Sequence, residues 1–277
     1  VEWIEIGYRN GSFKPIADIG LTGMSPDNYI QAIHDAVPEA KLVVIAHPHN
    51  ITRQDIIRLR ECGVALLRLC IKTDNPQPAL ELCEVAKENG LRVSMNFTRA
   101  SQINAKTLVD VALQCENAGA DIICIADSNG SLRPEQTARL VNLLKCATPL
   151  EVGFHAHDNL GLAMANSIEA VKAGATFIDS SLTGMGKGAG NLAMEIWLSL
   201  CNFNEGKERY HTEWIFNQVH QLVSKEFYNA SYRSVVDMIL GVKNLSVENR
   251  KMVEESLTTE SQRVFSAIEN VITGTAA

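Results

Sequence analysis

The most constraining feature of this chain is a repeat in which short apolar runs alternate with amphipathic stretches. The apolar runs are mostly continuous, which is typical of strands that are buried on both faces. They are Trp3–Gly7, Leu42–Ala46, Ala65–Cys70, Arg92–Phe97, Asp121–Ala126, Glu151–His157 and Thr176–Ser180. The stretches between them have helical periodicity, namely Asp27–Val37, Gln54–Glu61, Pro78–Asn89, Ala105–Ala118, Pro134–Ala147 and Ala163–Ala173. Such units predict parallel strands joined by helices.

The number and spacing of these units predict an α/β fold of the TIM (β/α)8-barrel type. Seven strands are visible in the sequence, whereas this barrel has eight. We interpret them as strands two to eight and expect the first strand to be encoded upstream of Val1. A doubly wound open sheet is the alternative, but no Gly-rich fingerprint follows the first visible strand. Polar residues also follow each strand rather than clustering at one switch point. Four of the helical stretches are followed by a glycine, the residue that most often ends a helix. These glycines are Gly63, Gly90, Gly119 and Gly174.

The alternation stops after about residue 205, and the chain then has a helical character. We therefore predict a catalytic barrel domain over residues 1–205 and a helical C-terminal region over residues 206–277. Within that region Thr212–Tyr228, Ser246–Leu257 and Thr259–Ile272 are predicted helices. Ser246 and Thr259 are suitable N-cap residues. The C-terminal region contains no catalytic motif.

Composition excludes several classes of protein. A hydrophobic content of 46% supports a sizeable core, and a formal net charge of −7 argues against a nucleic-acid-binding surface. No apolar run reaches the ~20 residues that a membrane span needs, and no signal peptide opens the chain. The seven cysteines lack CxxC spacing, so we interpret them as core residues in a reducing compartment. We expect a cytoplasmic protein.

The sequence His155-Ala156-His157 lies at the predicted carboxyl end of a strand. Alternate residues of a strand share a face, so both imidazoles are expected to point the same way and to form half of a metal site. The alternative is a pair of histidines in an ordinary polar loop. We favour the metal because a second polar loop, Thr183–Asn191, follows one βα unit later. Its glycines allow a close approach of the backbone to a ligand, and Asn191 offers an amide oxygen, although a tight barrel-closing loop would also explain them.

Functional side chains of such barrels lie at the carboxyl ends of the strands. This rule selects further candidates for catalysis and for substrate binding: His47, His49, Glu5, Arg68, Asn96, Thr98 and Asp127. We predict an acid/base role for His47 or His49, although a polar loop leading into the next helix is the alternative. Arg68 could hold a substrate carboxylate or form a structural ion pair with an acidic residue.

Several of these motifs resemble those of the metal-dependent pyruvate aldolases and hydroxymethylglutaryl-CoA lyase-like barrels. The resemblance is carried by Gly153–Gly161, by Asn166-Ser167, by Gly184–Asn191 with Glu195, by Asp127–Gly130 and by Glu5–Gly7. It is strongest for the 4-hydroxy-2-oxovalerate aldolase branch, whose loop has the same GMGxGAGN form. The CoA lyases carry a catalytic Cys in this loop, and the condensing synthases usually have Glu-Arg where this chain has Lys187-Gly188.

The resemblance implies that His155 and His157 are metal ligands and that Asn191 is a further ligand or donates to one. It implies that Glu5 and Asp127 line the site as polar partners. The family's first strand normally supplies an Asp ligand, a substrate-binding Arg and an acid/base group, and this chain begins after that point. Two histidines plus one carboxylate suit Mn²⁺ or Mg²⁺ better than a closed zinc site.

The expected reaction is cleavage of a 4-hydroxy-2-oxo acid to pyruvate and an aldehyde. A Claisen-type condensing enzyme that uses acetyl-CoA and a truncated or degenerate non-catalytic barrel are the alternatives. Expected partners are a small 2-oxo acid substrate, further copies of the chain in a homo-oligomer and, by resemblance, an acylating aldehyde dehydrogenase bound through the helical C-terminal region. No nucleic-acid or membrane partner is expected.

Overall fold

A computed structural model describes residues 1–224 and 234–259, and within them seven strands form one sheet. The order of the strands in the sheet is their order in the chain, and the pairs from β1 to β5 are parallel. The strands are β1 (Trp3–Tyr8), β2 (Lys41–Ala46), β3 (Val64–Ile71), β4 (Arg92–Phe97), β5 (Ile122–Asp127), β6 (Glu151–Ala156) and β7 (Phe177–Asp179). A doubly wound sheet reverses its strand order at a switch point, so the sequential order excludes that alternative.

The two outermost strands of this order contact each other through their side chains. The rings of Trp3 on β1 and Phe177 on β7 are 5.9 Å apart. Both pack against the buried cluster of Val43, Leu66 and Ile122 from three other strands. In a flat sheet the outermost of seven strands would be about 29 Å apart, at ~4.8 Å per strand. The sheet therefore curls round, and the predicted α/β barrel fold, lacking one strand, is confirmed.

Helices follow most strands, as the amphipathic stretches predict. They are α1 (Leu21–Met24), α2 (Asp27–Ala36), α3 (Arg53–Glu61), α4 (Gln77–Glu88), α5 (Ala105–Asn117), α6 (Pro134–Ala147), α7 (Ala163–Lys172), α8 (Met194–Glu205), α9 (Thr212–Ser224), α10 (Val235–Val242) and α11 (Arg250–Thr259). All four predicted stop glycines have positive φ angles of 74–104°, which glycine adopts without strain. The predicted helix Thr259–Ile272 lies almost entirely outside the described residues.

An ion-pair network around the buried Arg9 joins the start of α2 to α3. Arg9, 7% exposed, lies 2.8 Å from a carboxylate oxygen of Asp27 and 3.2 Å from one of Asp55. Arg58 donates to the other oxygen of Asp27 at 3.1 Å. Burial would raise the pKa of Asp27, but the hydrogen bonds and charges of these two arginines outweigh burial and lower it. The carboxylate form of Asp27 therefore stabilises the folded state.

The chain divides into two compact units. The first comprises residues 1–126, 138–154 and 170–178, and the second comprises residues 127–137, 155–169 and 179–277. The last residues of β5, β6 and β7 therefore belong to the second unit. The predicted division into residues 1–205 and 206–277 stays a prediction. Among the described residues, no helix has both the length and the apolar character that a membrane crossing requires.

The later helices of the second unit have a small core of their own. Ile239 and Leu240 of α10 pack with the fully buried Val253 of α11. Beside this core, Asp237 is 3% exposed and pairs with the guanidinium of Arg250. α10 itself was not predicted, although Ser234 and Asp237 form a capping box at its start.

Candidate metal centre

The two histidines of the predicted metal site lie side by side in the second unit. His155 is the penultimate residue of β6, and His157 follows the strand. Their ring centroids are 5.1 Å apart, and the ring planes are inclined at 71°. Extended backbone places residues i and i+2 on the same side, so the strand itself brings these rings together. A single divalent cation could contact both rings at this separation.

A carboxylate holds the ring of His155. Nδ1 of His155 lies 3.1 Å from Oδ2 of Asp179, the last residue of β7. A carboxylate accepts hydrogen bonds, so Nδ1 is the donor in this contact, and in a neutral imidazole Nε2 then has the lone pair. Carboxylate–histidine pairs of this kind orient the ligands of many metal sites.

The surroundings of His157 keep its ring neutral. The pKa of His157 is lowered to about 3, chiefly by burial of the ring and also by the nearby His155 and the charge of Lys187. A hydrogen bond to the backbone of Lys187 acts in the opposite direction and is outweighed. A neutral imidazole has a lone pair on one nitrogen, which is the form that binds metals. At pH 7 His157 is therefore ready to act as a ligand.

The glycine-rich loop brings Asn191 to the same place. His157 and Asn191 face each other in an isolated β-bridge. The backbone N–H of Asn191 donates to the carbonyl oxygen of Gly184 at 2.8 Å. Nδ2 of Asn191 donates to the carbonyl of Met185 at 3.1 Å. Its Oδ1 atom is buried and accepts no hydrogen bond from any described residue. A buried oxygen without a hydrogen-bond donor or a cation beside it lowers the stability of the folded state.

The glycines of the loop make room for Asn191. A Cβ atom at Gly186 would lie 2.5 Å from Nδ2 of Asn191, and one at Gly184 would lie 2.7 Å from its carbonyl oxygen. Behind the loop, the buried Glu195 accepts a hydrogen bond from the amide of Thr183 at 2.9 Å. The sequence interpretation assigned these glycines to approach by a ligand, whereas in the structure two of them accommodate Asn191.

These atoms fit a divalent cation. His155 and His157 each use one ring nitrogen in a hydrogen bond, and Oδ1 of Asn191 is a buried acceptor that needs a partner. Nitrogen and oxygen donors of this kind suit Mn²⁺ and Mg²⁺ with open coordination positions. In the part of the chain that the structure describes, no group of three His, Cys, Asp or Glu residues could hold a metal ion. Asp179 is therefore a hydrogen-bond partner of His155 rather than a third ligand of such a group.

Asp127 has a structural use in the second unit. Its two carboxylate oxygens accept hydrogen bonds from the amides of Ser131 and Leu132, each at 3.0 Å. The residue is fully buried, and burial raises its pKa against the effect of these hydrogen bonds. The carboxylate thus organises the loop after β5. Its predicted role in substrate binding stays a prediction.

Four predicted substrate-binding residues lie in the first unit, and three of them form one cluster. The buried guanidinium of Arg68 donates to Oε2 of Glu5 at 2.8 Å and to Oδ1 of Asn96 at 3.3 Å. It also lies 3.1 Å from Sγ of Cys124. Thr98 follows β4 and is partly exposed. The Arg68–Glu5 contact is the structural ion pair that the sequence left as an alternative, and substrate binding by these residues stays a prediction.

His47 and His49 belong to an aromatic cluster of the first unit. The ring of His47 stacks on Tyr8 with a centroid distance of 5.6 Å and an interplanar angle of 12°. Phe13 contacts both imidazoles edge-on, and Nε2 of His49 lies 3.2 Å from its carbonyl oxygen. The ammonium of Lys72 lies 4.7 Å from the centroid of the Phe13 ring. Burial of Tyr8 raises the pKa of its phenol, so this ring stays neutral beside His47.

Sequence reasoning missed Asp179. It lies within the predicted strand Thr176–Ser180, near its carboxyl end, so the rule that selected Asn96 and Asp127 applies to it equally. The hydrogen bond to the backbone of Lys187 carries no sequence signal, because any residue at position 187 offers the same carbonyl group.

Comparison with known proteins assigns the chain to a family. The profile of the HMGL-like family matches residues 19–224. A relative named 4-hydroxy-2-oxovalerate aldolase 2, from Nocardia farcinica, is 32% identical over 196 residues, which cover 71% of this chain and 57% of the relative. A 4-hydroxy-2-oxovalerate aldolase from Desulfitobacterium hafniense is 33% identical over 218 residues, which cover 78% of this chain and 66% of the relative. The chain thus spans about 57% of the first of these relatives.

Solved structures share the fold of this chain. The crystal structure of the N-terminal domain of a candidate aldolase from Bacteroides vulgatus has a TM-score of 0.82 and 28% identity, and covers 96% of this chain and 88% of that one. The carboxyl transferase domain of Rhizobium etli pyruvate carboxylase shares the fold at a TM-score of 0.70 and 17% identity, over 84% of this chain and 43% of that one. Because the family profile covers most of its length, the chain belongs to the HMGL-like family.

Proposed function

We propose that this chain carries the barrel of a divalent-metal-dependent aldolase, which cleaves a 4-hydroxy-2-oxo acid to pyruvate and an aldehyde. The observation that carries the proposal is the arrangement of His155, His157 and the unpartnered Oδ1 atom of Asn191. Relatives named as 4-hydroxy-2-oxovalerate aldolases, at about 30% identity over some 70% of the chain, support the choice of reaction. The loop Gly184–Asn191 carries no Cys of the kind that the CoA lyases use.

His155, His157 and Asn191 would hold the cation, for which Mn²⁺ and Mg²⁺ are the candidates. Bound there, a divalent cation supplies Lewis-acid chemistry, which stabilises the negative charge that develops when the C3–C4 bond of the 2-oxo acid breaks. Asp179 fixes the proton of His155 on Nδ1. The packing around His157 keeps that ring unprotonated at neutral pH. His157 can thereby bind a cation without first losing a proton.

Cleavage also needs a base that takes the proton of the 4-hydroxyl group. His47 and His49 are the predicted candidates, and a substitution of either should lower kcat by about 10²–10⁴ if that residue is the base. The stacking of His47 on Tyr8 fixes its ring, whereas His49 is exposed. The homo-oligomer, the aldehyde dehydrogenase partner and the cytoplasmic location stay predictions.

The decisive assay measures pyruvate release from 4-hydroxy-2-oxopentanoate with lactate dehydrogenase and NADH. We expect turnover with Mn²⁺ present and loss of turnover after chelation, with recovery when Mn²⁺ is added back. The matched control is the His155→Ala, His157→Ala double variant, which should be inactive at the same metal concentration. Absence of pyruvate from the metal-loaded wild type would refute the proposal. Release of free CoA from acetyl-CoA and a 2-oxo acid would instead identify a condensing enzyme.

A further inference from the structure

We propose that Asp179 is a positioning residue of the metal centre: it fixes His155 in the Nδ1–H tautomer and so presents Nε2 to the cation. This inference rests on the metal site of the proposed function. Neither residue type nor sequence spacing assigned a role to Asp179, and the inference comes from one contact, the 3.1 Å approach of its Oδ2 atom to Nδ1 of His155.

The position of the two residues explains the contact. Asp179 ends β7, and His155 lies next to the end of β6. These strands are neighbours in the sheet, and neighbouring strands are about 4.8 Å apart, so side chains on the same face can touch. The backbone therefore sets the distance, and the carboxylate needs no long flexible side chain to reach the ring.

The tautomer decides whether His155 can act as a ligand through Nε2. A neutral imidazole has one N–H group and one lone pair, and without a partner it can place the proton on either nitrogen. An ionised carboxylate has no proton to donate, so beside Asp179 only the Nδ1–H form makes a hydrogen bond. The side chains of His155 and Asp179 are 26% and 24% exposed, so water competes only weakly for this bond. The lone pair of Nε2 is then available to a cation.

The two histidines differ in how they are held. His157 bonds to the backbone of Lys187, which a substitution at that position leaves in place. His155 is held by a side chain, so its orientation can be removed by mutation while both ligands remain. Outer partners of metal-bound histidines typically contribute 10–100-fold to metal affinity. Asp179 is therefore the residue whose loss should weaken metal binding without the removal of any ligand.

The first measurement is the tautomer of His155 in the metal-free protein. Nitrogen-15 NMR at about pH 8, above the ordinary imidazole pKa of about 6.5, distinguishes Nδ1–H from Nε2–H. The spectrum of His155→Ala identifies the resonances of this ring. We expect Nδ1–H in the wild type and a mixture of tautomers in Asp179→Ala. A wild-type ring that carries its proton on Nε2 would overturn the proposal, whatever the activity of the enzyme.

The second measurement is Mn²⁺ affinity, followed by electron paramagnetic resonance of the free ion. Asp179→Asn and Asp179→Ala should bind Mn²⁺ about 10–100-fold more weakly, and Asp179→Glu should recover part of the loss. The matched control is Asp121→Asn. Asp121 is 26% exposed and pairs with Lys87 at 2.7 Å, so its loss removes a similar ion pair that involves no imidazole.

The control should lose stability and keep both its Mn²⁺ affinity and the His155 tautomer. Equal Mn²⁺ affinity in Asp179→Ala and wild type would overturn the proposal, and so would a wild-type protein that does not bind Mn²⁺ at this site. A protein with the expected tautomer and affinities but without pyruvate release would refute the proposed reaction and leave the role of Asp179 standing.

Discussion

Replacement of Gly186 by Ala tests the packing of the glycine-rich loop around Asn191. The added Cβ atom would lie 2.5 Å from Nδ2, 2.6 Å from Cγ and 2.7 Å from Oδ1 of Asn191. These distances are too short for any real contact, so the carboxamide has to move. Gly186 has no positive φ angle, so an Ala residue causes no backbone strain there. The substitution therefore acts through the side chain of Asn191 alone.

The cost can be worked out from the contacts that are lost. A displaced carboxamide gives up its 3.1 Å hydrogen bond to the carbonyl of Met185, which contributes about 1 kcal/mol. Overpacking in a tight loop costs about 1–3 kcal/mol, and the lower end applies because a side chain rather than backbone has to yield. We expect Gly186→Ala to lower the free energy of unfolding by about 1–2 kcal/mol and to weaken Mn²⁺ binding by about 10-fold.

Urea unfolding of the metal-free protein and titration with Mn²⁺ give the two quantities separately. The matched control is the double variant Gly186→Ala, Asn191→Ala, in which the overlap disappears together with the carboxamide. Its free energy of unfolding should exceed the value expected from adding the two single losses, while its Mn²⁺ affinity stays low. A Gly186→Ala protein with the stability and Mn²⁺ affinity of the wild type would refute our account of this loop.

Three further predictions concern the two histidines, the buried arginine and acid stability. His155→Ala and His157→Ala should each weaken Mn²⁺ binding by at least ~10-fold in a calorimetric titration, and unchanged affinity in both would remove the site assignment. Glu5→Gln leaves the buried Arg68 without its carboxylate and should cost about 1–3 kcal/mol in urea unfolding, less than a fully buried pair because Glu5 is 37% exposed. The pKa of Asp27 is lowered in the folded state, so its carboxylate contributes fully to stability above the unfolded-state pKa of about 3.9. This contribution is lost as the pH falls through the lower folded-state pKa. Asp27→Asn should therefore have a lower free energy of unfolding than wild type at pH 6, and the difference should narrow toward pH 2.

The fold could be predicted because each strand coincides with a short apolar run in the sequence, which is a local pattern. The predicted strand Arg92–Phe97 coincides with β4, and Asp121–Ala126 differs from β5 by one residue at each end. The prediction was poorer where local signals are weak. β7 has only three residues. α10 was overlooked because it has only eight residues and is apolar on its exposed side as well, at Met238 and Val242. Closure of the sheet through Trp3 and Phe177 depends on residues that are far apart in the sequence.

The site could be predicted only as far as neighbouring residues determine it. The proximity of His155 and His157 follows from strand alternation, which is a local property. Their hydrogen bonds to Asp179 and to the backbone of Lys187 join segments 24 and 30 residues away, and no spacing rule indicates them. The buried Oδ1 atom of Asn191 likewise becomes visible only when the loop is folded.

The central claim is that His155, His157 and Asn191 hold one divalent cation. The most direct test is a crystal of the protein grown with Mn²⁺, measured where manganese scatters anomalously. We predict one strong anomalous peak within bonding distance of a ring nitrogen of both histidines and of Oδ1 of Asn191. Full occupancy of Mn²⁺ at any other position, with none between these three side chains, would contradict the account.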